Sequence, residues 1–138
     1  MTERNNWNEQ IIKEFRTNDG KVGGPFQGAT LLLLTSKGAK SGKPYTTPLA
    51  YLPDGDRYVV FASKGGAPTN PDWYYNLKAN PEVTIEVGTD VVDVVATEVT
   101  GAERDSLYAA QAARMDNFRE YAESAAPRVI PVIRLTRR

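Results

Sequence analysis

Two short loops hold the residues that are best suited to bind an anion. The first loop, Lys37–Lys43, carries three lysines and two glycines between two strand-like runs. The second loop, Ser63–Gly66, combines a hydroxyl, a lysine and two glycines. Lysine ammonium groups attract phosphates and carboxylates, and glycine lets backbone amides approach them closely. Such loops can also be solvated surface turns, so the rest of the sequence must decide between the two interpretations.

The chain contains neither histidine nor cysteine, which narrows its chemistry. The commonest general base, the commonest metal ligand and the thiolate nucleophile are absent. A serine triad lacks its histidine, and no two carboxylates form a convincing glycosidase pair. Cysteine-based zinc and iron–sulfur sites are excluded, and no metal site is predicted. If the protein is an enzyme, we therefore expect a bound cofactor to carry the difficult chemistry.

The first loop differs from a nucleotide-binding phosphate loop. Only three residues separate Gly38 from Gly42, and Pro44 stands where that motif has serine or threonine. A strand-like run also follows where the motif requires a helix. Nucleotide hydrolysis is therefore rejected.

Charge is distributed unevenly although the net charge is zero. Between Gly20 and Pro53 there are four lysines and no acid, whereas Glu82–Asp105 carries seven acids against Arg104 alone. Nucleic-acid binding usually shows as a basic excess over a whole face of a domain. This local excess favours a small anionic ligand, with no nucleic-acid partner.

The length of 138 residues fits one domain with one core. No apolar run approaches the roughly 20 residues of a membrane span, and the polar opening segment is no secretory signal. We therefore predict a cytoplasmic protein.

Residues 1–28 are predicted to form an amphipathic helix and a loop. Trp7, Ile11 and Phe15 make one apolar stripe on a helix from Asn6 to Arg16. The polar face mixes both charges, which favours docking on the protein's own core over contact with a membrane surface. The glycine-rich segment Gly20–Gly28 then reads as a loop.

Residues 29–138 are predicted to form a single domain of six strands with inserted helices. The helix between Asn70-Pro71 and Asn80-Pro81 has an asparagine N-cap with proline at the first position, and Thr100 with Glu103 is a capping-box pattern. Pro48 implies a bulge or an edge position. The predicted strands are Ala29–Thr35, Tyr45–Leu52, Arg57–Ala62, Thr84–Val87, Val91–Val99 and Arg128–Leu135. Hairpin connections between most of them predict an α+β, mainly β, antiparallel barrel.

Five segments together carry a family resemblance: Lys37–Pro44, Pro48-Leu49, Asp54–Asp56, Ala62–Gly66 and Asn70–Pro81. With these motifs the chain resembles the deazaflavin (F420)-dependent nitroreductase family from about Ala29 to Leu135. The resemblance implies a split β-barrel that binds the deazaflavin coenzyme F420. It also implies hydride transfer from the reduced coenzyme to an organic acceptor.

The resemblance implies roles for individual residues of both loops and their neighbours. Lys40 and Ser41, with the Ala39 backbone, would hold the coenzyme phosphate, and Lys37 and Lys43 are further candidates for its acidic tail. The groove would be lined by Tyr45, Thr46, Thr47 and Pro48. The ring would lie on Phe61, Ala62, Ser63 and Lys64, with Trp73 and Asn76 closing one side. From the residues themselves, the candidates for proton delivery, and so for catalysis, are Ser63 and Tyr121. Water is a further proton source, and Tyr121 could instead pack in the core.

The acceptor remains open at this point. Members of the family that activate nitroimidazoles look tyrosine-rich in a region where this chain has Asp116, Phe118 and Tyr121. An activated double bond or a quinone is therefore at least as well favoured as a nitro compound as the hydride acceptor. Three rival functions also remain. They are an FMN-binding split-barrel oxidoreductase, a deazaflavin carrier without turnover, and a ligand-binding barrel with no redox role.

Overall fold

The computed structural model describes residues 2–17 and 31–138, with the side chains of the first helix described from Glu9 onward. The helices are α1 (Thr2–Thr17), α2 (Asp72–Ala79), α3 (Gly101–Arg114) and α4 (Asn117–Ala125). The strands are β1 (Leu31–Lys37), β2 (Pro44–Asp54), β3 (Arg57–Phe61), β4 (Glu82–Val87), β5 (Asp90–Val99) and β6 (Val132–Arg137). One 3₁₀ turn, Lys64–Gly66, follows β3.

The six strands close into an antiparallel barrel in the order β1-β2-β3-β6-β5-β4, which confirms the predicted fold class. The long strand β2 is shared between two neighbours. Its residues 44–50 pair with β1, and its residues 51–54 pair with β3. Among the described strands, Pro48 therefore has a neighbour on one side only, which is where a sheet tolerates proline. The predicted edge position of Pro48 is confirmed.

Among the described residues, three groups of apolar side chains hold the fold together. The barrel interior is filled by strand residues such as Leu32 and Ile85, and α2 closes it with Trp73, Tyr74 and Leu77. A second core lies between the outer face of β3 and β6 and the helices α3 and α4. The third packs Ile11 and Phe15 of α1 against Leu31 and Leu33 of β1, which is the docking predicted from the apolar stripe. None of the helices in residues 2–17 and 31–138 is long and apolar enough to cross a membrane.

The strand directions bring the loops of interest to one end of the barrel. Because β1 and β3 are both antiparallel to β2, they run parallel, and their carboxyl ends meet at the same end. The loops Gly38–Lys43 and Ala62–Gly66 both emerge there, and α2 crosses that end between β3 and β4. Helices α3 and α4 connect β5 to β6 at the same end. We call this the loop end of the barrel.

Several predicted boundaries differ from the structure. Helix α1 begins at Thr2 rather than Asn6. The last strand begins at Val132 rather than Arg128, because the Arg128 N–H bonds back to the Ala125 carbonyl in a turn and Pro131 has no N–H for the sheet. The predicted loop Gly20–Gly28, the residue Ala29 and the side chain of Trp7 lie outside the described residues.

Both predicted helix caps are wrong in their side-chain contacts. Helix α2 starts one residue later than expected, with Pro71 at the cap position and no side-chain cap bond, because Asn70 is bound by Arg128. Thr100 does stand at the cap of α3, but its side chain makes no cap bond. Glu103 forms an ion pair with Arg134 on β6. Distant partners thus replace the local bonds that the sequence pattern favours.

Candidate functional site

The loop between β1 and β2 is a compact turn closed by its own backbone. The Gly38 N–H donates to the Lys43 carbonyl at 2.8 Å, and the Gly42 N–H donates to the Gly38 carbonyl at 3.0 Å. A Cβ atom on Gly38 would lie 2.5 Å from Ser41 Oγ and 2.9 Å from the Tyr45 ring, so a side chain there would displace both of these side chains. The turn therefore presents its lysines from a defined backbone.

The side chains of this turn are free to meet a ligand. Lys37, Lys40 and Lys43 are exposed, and none of them forms an ion pair with a described residue. The Ser41 hydroxyl accepts a bond from the Lys43 N–H and lies 3.2 Å from the Tyr45 hydroxyl. Three ammonium groups and two hydroxyls suit a phosphate and further carboxylates, so the donor set fits the acidic part of coenzyme F420.

Asn76 braces this turn from below. Its side chain is 8% exposed, and Oδ1 accepts the Ala39 N–H at 3.0 Å. Its Nδ2 donates to the Ser36 hydroxyl at 3.4 Å. The family resemblance implied that Ala39 and Asn76 each contact the coenzyme. In the structure they bind each other, so the Ala39 amide is already satisfied.

The four predicted groove residues divide between the two faces of β2. Tyr45 and Thr47 lie on one face and Thr46 and Pro48 on the other, because strand side chains alternate. Thr46 Oγ1 lies 3.0 Å from Thr35 Oγ1. Beside Thr46, a cleft of about 460 Å³ separates β2 from α1.

The second basic loop has a backbone conformation that suits anion binding. The backbone of Ser63 is in the right-handed helical region, with φ −73° and ψ −39°, and that of Lys64 is in the left-handed region, with φ +49°. When a residue in the right-handed conformation is followed by one in the left-handed conformation, their backbone N–H groups point toward one spot. This arrangement is known as a nest. Within the described part of the chain, no acceptor is bonded to the amides of Ser63 and Lys64. The Lys64 ammonium donates to Thr69 at 3.1 Å.

Arg128 holds this loop from the other side. Its Nη1 donates to the Ala62 carbonyl at 2.9 Å and to Asn70 Oδ1 at 2.7 Å. Its Nη2 donates to the carbonyls of Ser63 and Ala67 at 2.9 and 2.7 Å, and Nε reaches Ala67 at 3.0 Å. Burial lowers the pKa of Arg128 below its ordinary value. Sequence reasoning missed this residue, and no local signal marks it, because its partners lie 58 to 66 residues away.

Three of the predicted ring contacts are mainly core residues. Phe61 packs edge-on against Tyr108 and Phe118 with ring centroids 5.8 and 5.6 Å apart. Ala62 is fully buried and donates its N–H to the Pro131 carbonyl. Trp73 is 7% exposed and belongs to the barrel interior. These residues support the loop end from inside.

Helix α4 brings Tyr121 against the second basic loop. A Cβ atom on Gly66 would lie 3.1 Å from Tyr121 Cα, so the loop and the helix touch through their backbones. The Tyr121 ring packs on Phe118 at 5.3 Å. Its hydroxyl accepts a bond from Asn117 Nδ2 at 2.9 Å, so its own hydrogen remains free to be donated. The structure therefore brings together Tyr121 and the loop that carries Ser63 and Lys64.

Comparison with known proteins identifies the family. Residues 7–137 match the family model described as F420H(2)-dependent quinone reductase. The F420H(2)-dependent quinone reductase of Mycobacterium tuberculosis is 43% identical over 127 residues, which cover 90% of this chain and 85% of the relative. The solved F420-H2 dependent reductase FDR-A is 37% identical with a TM-score of 0.70, covering 77% of this chain and 93% of its own.

A second solved structure, described as a domain-swapped dimer, is 34% identical with a TM-score of 0.72 and covers 97% of this chain and 98% of its own. The resemblance carried by the two loops and α2 is thus confirmed. The chain belongs to the F420H(2)-dependent quinone reductase family, whose members are oxidoreductases that use reduced coenzyme F420.

Proposed function

We propose that this protein reduces a quinone at the loop end of its barrel. The two halves of the coenzyme site are the turn Lys37–Lys43, called the lysine turn, and the Ser63–Lys64 nest. The observation that carries this proposal is the position of both loops at one end of the barrel, each held by side chains from elsewhere in the fold. Asn76 on α2 holds the lysine turn, and Asn70, just before α2, is bound by the arginine that holds the nest.

The lysine turn is the proposed holder of the coenzyme's acidic part. Lys40 and Ser41 would bind the phosphate, and Lys37 and Lys43 would attract the carboxylates of the tail. Ala39 is engaged with Asn76, so its contribution would be to fix the turn. Because these ammonium groups are exposed, salt is expected to weaken their attraction for an anion.

The nest is the proposed partner of the ring. When bound, reduced F420 supplies a hydride, so the protein needs no base of its own to generate one. The amides of Ser63 and Lys64, with the Lys64 ammonium nearby, would stabilise negative charge that develops on the ring side of the site. Their orientation before binding avoids a reorganisation cost.

Conversion of a quinone to a hydroquinone requires a hydride and a proton. The Tyr121 hydroxyl accepts from Asn117 and keeps its own hydrogen for donation. The Ser63 hydroxyl makes no hydrogen bond to a described residue, so it is the second candidate donor. Tyr121 is the favoured donor because Asn117 fixes the orientation of its hydroxyl.

A cytoplasmic location and a small-molecule acceptor, without a nucleic-acid partner, are part of this proposal. Reduction of activated double bonds or nitro compounds is the second candidate activity, since the same hydride and proton would serve it. The FMN alternative is disfavoured, because a turn with three ammonium groups exceeds what one phosphate requires.

The purified protein is expected to oxidise reduced F420 with at least one acceptor from a panel of quinones, unsaturated lactones and nitroaromatics. A Trp7→Phe background makes Trp73 the remaining tryptophan, and its fluorescence then reports binding of the coenzyme. We expect F420 to displace FMN in a competition titration. Equal or tighter binding of FMN contradicts the cofactor assignment, and tight F420 binding without turnover identifies a carrier.

Lys40→Ala is expected to weaken coenzyme binding about ten- to a hundredfold, corresponding to roughly 1.5 to 3 kcal/mol for a lost charged hydrogen bond. Arg57→Ala is the control, because it removes one positive charge at the opposite end of the barrel, where Arg57 pairs with Asp54. Titrations at two salt concentrations measure both effects. An unchanged dissociation constant in Lys40→Ala would indicate that this turn is a solvated surface loop that does not bind the coenzyme.

A further inference from the structure

Arg128 is a partly buried arginine whose side-chain hydrogen bonds all go to one segment of the chain. Its guanidinium group makes five hydrogen bonds, all to uncharged oxygens of the segment Ala62–Asn70. No carboxylate among the residues that the structure describes forms an ion pair with it. Arg134, by contrast, pairs with the carboxylate of Glu103.

The oxygens that Arg128 gathers belong to the loop that forms the nest. The Ala62 carbonyl shares a peptide plane with the Ser63 N–H, and the Ser63 carbonyl shares one with the Lys64 N–H. Because the guanidinium binds both carbonyls, it fixes the peptide planes on both sides of Ser63. The left-handed conformation of Lys64 is costly for a residue with a side chain and must be held by its surroundings. Arg128 supplies that support from the side opposite to the free amides.

We propose that Arg128 is a positioning residue, which keeps the Ser63–Lys64 amides directed at the coenzyme ring and leaves a net positive charge behind them. Removing it would leave the carbonyls of Ala62, Ser63 and Ala67 without their shared donor and would let the loop relax from the nest conformation. The role of Arg128 in catalysis rests on the proposed function, whereas its hold on the loop does not.

Arg128→Lys tests this role, because lysine keeps the charge but cannot reproduce a planar fork that reaches four oxygens. Arg104→Lys is the matched control, since Arg104 also donates two bonds to a backbone carbonyl, that of Ile130, but does not touch the loop. Hydrogen exchange in the coenzyme-free protein gives the first measurement. The amides of Gly66 and Ala67, bonded to Ser63 and Lys64, are expected to exchange about tenfold faster in Arg128→Lys and to be unchanged in Arg104→Lys.

Steady-state kinetics with saturating reduced F420 and a quinone give the second measurement. We expect kcat to fall roughly ten- to a hundredfold in Arg128→Lys, as for a small misplacement of a reacting group, while the coenzyme dissociation constant changes less. Arg104→Lys should stay within about twofold of the wild type. If the Arg128 variants do not fold, Asn70→Ala removes one of the five contacts and should speed loop exchange to a smaller degree.

Unchanged loop exchange in Arg128→Lys, or equal losses in Arg104→Lys, would overturn the proposal. So would faster loop exchange with normal kcat. A wild type that turns over no quinone refutes the proposed function instead, and loop exchange together with coenzyme binding then still decides whether Arg128 holds the nest.

Discussion

Tyr121→Phe is expected to lower kcat/KM for the quinone roughly ten- to a thousandfold, within the range of general acid–base effects and single hydrogen bonds. The substitution removes a hydroxyl whose hydrogen is free for donation and leaves the ring packed on Phe118. Coenzyme affinity should therefore remain close to that of the wild type. Stopped-flow oxidation of the reduced coenzyme measures the rate, and fluorescence titration measures the affinity.

Tyr108→Phe is the matched control for this prediction. Tyr108 lies in the same aromatic cluster, but its hydroxyl is buried and donates to the Phe118 carbonyl. Burial raises the pKa of Tyr108 above its ordinary value, so it remains a neutral donor that serves the fold. We expect a lower melting temperature and nearly normal turnover. Normal turnover in Tyr121→Phe as well would leave Ser63 or solvent as the proton source.

Gly66→Ala is expected to destabilise the protein by about 2 to 5 kcal/mol, from a left-handed conformation and from overpacking together. Gly66 has φ +85°, and an added Cβ would meet Ser124 Cβ at 2.9 Å and the Tyr121 carbonyl at 3.2 Å. Helix α4 must then move away from the nest. Coenzyme binding should weaken in the same variant, as measured by titration below its unfolding temperature.

Gly55→Ala separates the two causes of this loss of stability, because it introduces a left-handed alanine without overpacking. Gly55 has φ +64°, but no atom lies within 4 Å of the position of an added Cβ. Its substitution should cost only about 1 to 2 kcal/mol and leave coenzyme binding intact. Equal losses at both glycines would show that the contact between Gly66 and α4 contributes nothing.

The barrel was predictable because local patterns mark its strands and turns. Tyr58–Phe61 reads as a strand by its side chains, and Asp54-Gly55-Asp56 reads as a hairpin turn by its glycine. Both signals lie within a few residues, and antiparallel strands joined by hairpins need no distant information to be paired. The two basic loops were recognised for the same reason.

What could not be predicted depends on contacts between distant residues. The sequence makes Asn70 a helix cap and Arg128 the start of a strand, yet the two side chains bind each other across 58 positions. Glu103 likewise gives up its local capping role for Arg134, 31 positions away. A charged or amide side chain that has several possible hydrogen-bond partners binds the ones that folding brings closest. Local propensity therefore describes the elements correctly and their polar side chains poorly.

Two of the hairpin turns among the described strands, at Gly55 and at Gly88-Thr89, lie at the end opposite to both basic loops. Exposed turns of this kind tolerate inserted peptides well. An anchoring tag placed in either turn would fix the molecule to a bead or an electrode with its lysine turn facing the solution. Every immobilised molecule would then share one orientation, and diffusing coenzyme and quinone would reach the same open end.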